Sequence, residues 1–180
     1  VWCRGEWQAL ATYDGELGAE VLNLARLDVP GVDVAALVAA IDERVQGWAQ
    51  HYSGYNKRGS WTALALRGYG GSADFISKPS EMSKKWKQDN AEKMSWVLKD
   101  TPLRALLPEV EPLLALLPGK AHRVRLMRLA AGGGELSRHA DITDPDAGTA
   151  DGKLMRIHFP LVTSASVQFE SWSHMGAHMG

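Results

Sequence analysis

The chain has 180 residues, 45% of them hydrophobic and 23% charged, with 20 basic residues against 21 acidic for a formal net charge of −1. That balance removes the electrostatic basis for a nucleic-acid or membrane-surface protein, and the size points to a single domain over 1–180. The lone cysteine, Cys3, excludes an internal disulfide and a cysteine-based zinc cluster. The longest apolar run, Val34 to Ile41, is far short of the roughly 20 residues of a membrane span. Val1 to Trp7 does not read as a signal peptide, so a soluble protein of a reducing compartment, the cytoplasm, is expected.

In chain order, Val21 to Leu27 reads as a strand or short helix closed by Val29-Pro30-Gly31. Asp33 can cap a helix from Val34 to about Gln50, with Leu37, Val38, Ile41, Val45 and Trp48 on one face. A polar, glycine-containing turn from His51 to Ser60 leads into Trp61 to Leu66, which alternates as a strand does, and Gly68, Gly70 and Gly71 close it. Ser77 to Lys99 interleaves lysines with Met82, Trp86, Met94 and Trp96, and a solvated helical stretch is expected there. Pro102, Pro108, Pro112 and Pro118 punctuate a pair of short helices whose leucines, 103, 106, 107, 113, 114, 116 and 117, read as core. Val124 to Leu129 alternates as a strand up to the glycine run 132–134. Leu154 to Val162 and Ser166 to Trp172 are further strand candidates. The expectation is therefore an α+β fold, with 1–120 a mainly helical support carrying one or two strands and 121–180 the first part of a sheet or barrel.

The chemistry concentrates between residues 139 and 158. His139-Ala140-Asp141 spaces an imidazole and a carboxylate two residues apart, and on an extended chain both project to the same side. Two cis positions on an octahedral iron need that arrangement, which amounts to two members of a 2-His-1-carboxylate triad. A solvated loop pair is the plainer alternative. The acidic loop 142–152 lacks the ordered spacing of a calcium loop, and the glycine run lacks the lysine of a phosphate-binding loop.

Taken in order, Val124 to Gly132, His139-Ala140-Asp141 and Arg156-Ile157-His158-Phe159-Pro160-Leu161-Val162-Thr163 resemble the aspartyl/asparaginyl β-hydroxylase-like family, including its cis-proline hydroxylase relatives. The resemblance spans about Leu103 to Trp172. It implies a double-stranded β-helix (jelly-roll, cupin-like) core under an N-terminal helical layer, and Fe(II)- and 2-oxoglutarate-dependent dioxygenase activity. That activity would use O2 to hydroxylate an amino acid or an aspartyl/asparaginyl residue, releasing succinate and CO2. On the same ground His139 and Asp141 are the first iron ligands and the catalytic centre. Arg156 and His158 line the 2-oxoglutarate pocket, and Arg128 stands on the preceding strand where the β-hydroxylase branch carries a small hydroxyl residue. Asp141 favours the amino-acid hydroxylases over members lacking the carboxylate ligand, and over halogenases. The family's distal histidine and its 2-oxoglutarate arginine are expected just past Gly180, with the last barrel strands; His178, and after it His174, are the candidates for a third ligand within the chain. The alternatives are a non-catalytic cupin-like binding or scaffold domain and an inactive oxygenase fragment.

Overall fold

A computed structural model describes residues 7–13, 20–27, 31–51, 56, 59–117, 119–132, 134–137, 157–168, 171–172 and 178–179. The chain divides into two compact units, Val1–Val38 with Arg156–Gly180, and Ala39–Met155. The described elements are helices and antiparallel sheet, which makes the class α+β.

In the first unit β1 (Trp7–Tyr13) and β2 (Glu20–Leu27) form an antiparallel pair, with an irregularity between Gln8 and Leu10. The pattern of Val21 to Leu27 left strand and helix open, and the backbone is strand; β1 had no counterpart in the sequence reading. Two short strands of this unit, Ser171–Trp172 and His178–Met179, pair as Ser171 with Met179 and Trp172 with His178. Ile157 to Val162, expected to be a strand, has no regular hydrogen-bonded structure, and neither do Ser166 to Gln168. Pro160 has no N–H to give a ladder, which weakens that segment as a strand.

Helix α1 (Val34–Arg44) starts where Asp33 places its cap: Oδ1 accepts from the Ala36 N–H at 2.9 Å. It ends a turn and a half before the expected Gln50. Gly47 has φ +71°, a left-handed conformation that terminates helices, and Trp48 and Val45 follow the helix rather than extending it.

The second unit is built on β4 (Trp61–Tyr69). β3 (Ala49–Gln50) and β5 (Leu98–Asp100) flank one side of β4, and β6 (Val124–Leu129) lies antiparallel along the other. Trp61, Ala63, Leu64, Ala65 and Leu66 are all buried, so β4 is covered on both faces and its sequence is almost continuously apolar. Directly opposed residues share a face. Trp61, Ala63 and Ala65 therefore stand with Leu129, Met127 and Arg125 and, from β3, with Ala49; Thr62 and Leu64 stand on the other face with Arg128 and Leu126.

The expected solvated helix from Ser77 to Lys99 is replaced by short pieces. A 3-10 turn at Pro79–Glu81 precedes α2 (Lys84–Asp89), which is capped by the Ser83 hydroxyl; Asn90 breaks it, and a 3-10 segment, Ala91–Ser95, follows. Aromatic packing explains the break. Phe75 stacks on Trp86 and meets Trp96 edge-on, each at 5.3 Å between centroids, while Lys93 Nζ lies 5.7 and 5.5 Å from the two indole centroids. A continuous helix would carry Trp86 and Trp96 apart. Gly70, with φ +71°, accommodates this group, because a Cβ there would come within 2.4 Å of the Trp96 ring.

Thr101, buried, donates its hydroxyl to the Ala65 carbonyl at 2.7 Å and so fixes the start of α3 (Pro102–Ala105). A 3-10 turn at Pro108–Val110 leads to α4 (Glu111–Ala115). Leu107, Val110 and Leu113 supply the core here, whereas Leu106 and Leu116, both expected inside, are exposed. Arg104 grips Glu111 with two contacts of 2.7 Å and shares Asp100 with Arg67. Among the described residues no helix is long and apolar enough to cross a membrane.

Candidate functional site

The structure describes the chain up to two residues before His139, and that approach is tightly specified. β6 ends at Leu129, and the Ala130 N–H donates to the Ser60 carbonyl at 2.8 Å. The chain then turns through Gly132, with φ +76°, and the Gly134 N–H closes back on the Ala130 carbonyl at 3.1 Å. A Cβ on Gly134 would stand 2.6 Å from that carbonyl oxygen, so the turn admits only glycine there. Beyond the turn, the Glu135 N–H donates to Ser60 Oγ at 3.2 Å and Leu136 forms a β-bridge with Asn56.

Asn56 organises the other half of this corner. Its Nδ2 donates to the carbonyls of His51 and Trp61, each at 2.9 Å, and its Oδ1 accepts from the Trp61 N–H at 2.8 Å. These bonds bring His51 beside the start of β4, where its ring stacks on Trp61 at 3.5 Å and 9°. The lead-in to His139-x-Asp141, the corner at Asn56 and Ser60, and the His51–Trp61 stack thus lie at one end of the β4–β6 pair.

On the face that carries Trp61, His51 Nε2 also lies 3.4 Å from Arg125 Nη1. A guanidinium has only donors, so the imidazole nitrogen accepts and the proton of the neutral ring sits on Nδ1. Burial, and after it the positive charges of Arg125 and Arg123, pull the His51 pKa down to about 4, which keeps the ring neutral at physiological pH. Arg125, Met127 and Leu129 follow one another along this face of β6, the last two 40% and 45% exposed.

The expected site residues distribute as follows. His139, Asp141, Arg156 and His174 lie outside the described residues. Arg128 is exposed on the opposite face of β6 from Arg125, and its guanidinium lies 5.6 Å from the Trp48 ring centroid. His158 belongs to the other compact unit, exposed in the segment that forms no strand. His178 stands in the last of the two short strands, opposite Trp172. Among the described residues, no three His, Cys, Asp or Glu side chains gather as a metal site.

Sequence reading did not pair His51 with Arg125. The available signals were local and weak: a histidine in a polar turn, a tryptophan opening a strand, and an arginine in the alternation Arg125-Leu126-Met127. Comparison with protein-family models, curated proteins and solved structures finds no match to this chain.

Proposed function

We propose that the chain is an Fe(II)- and 2-oxoglutarate-dependent oxygenase of the aspartyl/asparaginyl β-hydroxylase-like type, hydroxylating a free amino acid or an aspartyl/asparaginyl residue. The observation that carries this reading is the order of elements ahead of the metal motif. A strand, β6, ends in a glycine turn anchored to Ser60 and Asn56, and the chain is then delivered to within two residues of His139-x-Asp141. A double-stranded β-helix requires such a strand and turn before its first metal ligands, and β4 with β6 would form part of its major sheet.

The donor set suits the metal, since an imidazole and a carboxylate on one side of an extended chain match a facial iron site. His139 and Asp141 would hold the iron, with His178 the candidate for a further ligand inside the chain. Arg156, His158 and Arg128 are the candidates for 2-oxoglutarate, whose far carboxylate a guanidinium can grip with two hydrogen bonds. When bound, iron with 2-oxoglutarate and O2 supplies the oxidant for C–H hydroxylation, releasing succinate and CO2. A reducing cytoplasmic setting suits both Fe(II) and the lone thiol of Cys3.

Anaerobic addition of Fe(II) and 2-oxoglutarate is expected to give a visible metal-to-ligand charge-transfer band that His139→Ala removes. In air, succinate is expected to form with amino-acid substrates. No band and no succinate would leave a non-catalytic binding domain of the same architecture; a band retained by His139→Ala would overturn the ligand assignment.

A further inference from the structure

We propose that α2, the 3-10 segment Ala91–Ser95 and the start of β5 form a docking face for an anionic lipid surface. Its lysines would meet the headgroup phosphates while Val97 and Met94 enter the interfacial layer. This role goes beyond the oxygenase reading and stands independently of it.

The near-zero charge of the whole chain hides a local imbalance. Residues 77–99 carry six lysines against three carboxylates, so the rest of the chain is net acidic. Two of those carboxylates are engaged locally: Asp89 pairs with Lys85 at 3.0 Å, and Glu81 faces Arg123 at 3.4 Å. Lys84, Lys87 and Lys99 enter no ion pair among the described residues. Lys84 and Lys87 lie three residues apart on α2, which puts them on one face. Lys93 adds a charge held in place, its Nζ standing near both the Trp86 and Trp96 rings and donating to Asn90 Oδ1. The turn at Gly70 and Gly71 gathers the other end. The Trp96 ring lies against Gly70 and Lys99 against Gly71, while the Gly70 N–H donates to the Val97 carbonyl at 3.0 Å.

Among these lysines two apolar side chains face solvent, Val97 at 60% and Met94 at 43% exposure, one on each side of Trp96 along the chain. Ammonium groups interleaved with apolar tips match a bilayer interface, where phosphates lie above the acyl boundary. Lysine suits that position, because its long stem can lie along apolar surface while its tip stays in water. A nucleic acid fits less well. Phe75 stacks on Trp86 and meets Trp96 edge-on, so both indoles are engaged within the protein, and a sugar-phosphate chain has no place for Val97 or Met94.

The test sediments the full chain with vesicles of phosphatidylcholine, with and without phosphatidylserine, at low and at high salt. Partition onto the phosphatidylserine vesicles at low salt, and its loss at high salt, are expected. Replacing both Lys84→Gln and Lys87→Gln is expected to weaken partition about twentyfold, since each lysine near an anionic surface strengthens it about fivefold. Val97→Ser is expected to weaken it about threefold by removing the inserted side chain. Circular dichroism checks that each variant folds, and Lys99→Gln, expected to cost about fivefold, decides if the double variant does not.

Partition no stronger with phosphatidylserine than without it overturns the proposal, as does partition unchanged within twofold in the lysine variants or in Val97→Ser. Tighter binding to poly-glutamate or to polyuridylate than to the vesicles also overturns it, and would assign the face to an acidic protein or to RNA.

Discussion

Val124 to Leu129 and Ile157 to Val162 are both short, largely apolar segments that alternate or nearly alternate, and they have different fates. The first is strand β6, paired residue by residue with β4 and with Leu126 buried. The second makes no regular pairing, and Val162 in it is 75% exposed. Alternation states only that an extended segment can present one apolar face. A strand also needs an edge with matching register and an N–H at every donating position. β4 pairs with all six residues of β6, the register shifting once between Ala65 and Arg67, whereas Pro160 removes a donor from the middle of the other segment.

This contrast can be broken most directly at the two apolar positions. Leu126→Ala is expected to cost about 2–4 kcal/mol of unfolding free energy, and Val162→Ala less than about 0.5 kcal/mol, measured by denaturant titration. Equal losses would show that the Ile157–Val162 segment is packed as firmly as β6.

A somewhat smaller effect is expected at the corner that gives β4 its starting position. Asn56→Ala removes the acceptor for the Trp61 N–H and the donor to two carbonyls, and a loss of about 1–3 kcal/mol is expected. Amide exchange should then accelerate across β4 and β6 while leaving 157–162 as it was; unchanged protection in β6 would place the register elsewhere than in this corner.

The smallest of the three effects depends on pH. The folded-state pKa of His51 lies below its ordinary value of 6.5, so the unfolded chain binds the proton more readily. The stability this ring contributes is therefore complete above about pH 6.5 and is lost as the pH falls toward about 4. For a half-buried ring in partial contact with solvent the loss is on the order of 1–2 kcal/mol. His51→Phe is expected to remove that slope, as read from thermal midpoints between pH 4 and 7; a slope kept by the variant would place its origin outside the His51–Trp61 stack.

Much of the local structure could be read from the residues alone. Asp33 announced the start of α1, Pro102 the start of α3, and the alternation from Val124 the strand β6. The end of α1 was not legible, because Val45 and Trp48 continue the apolar spacing and only the left-handed conformation of Gly47 stops it. The stretch 77–99 was misread for a related reason: its tryptophans fit a helical face, but Phe75 gathers Trp86 and Trp96 into one cluster that a straight helix would separate. In the proposed site, His139-x-Asp141 stands out in the sequence because an imidazole and a carboxylate two residues apart have the spacing that two ligands of one metal would need on an extended chain. The His51–Arg125 contact was invisible, since its partners are 74 residues apart and neither carries a local motif.

By itself the sequence determined the mixed α+β character, the helix starts, the strand that precedes His139-x-Asp141 and the residue types on which the proposed iron site draws. These follow from short-range effects: capping, side-chain periodicity and the restricted dihedrals of proline and glycine. Only the tertiary structure decided which alternating segment became a strand, where α1 stopped, that Leu106 and Leu116 stay outside, and that Arg125 and Arg128 face opposite ways with His51 beside the former. Those outcomes depend on strand register and on which surfaces meet, and residues distant in the chain settle both.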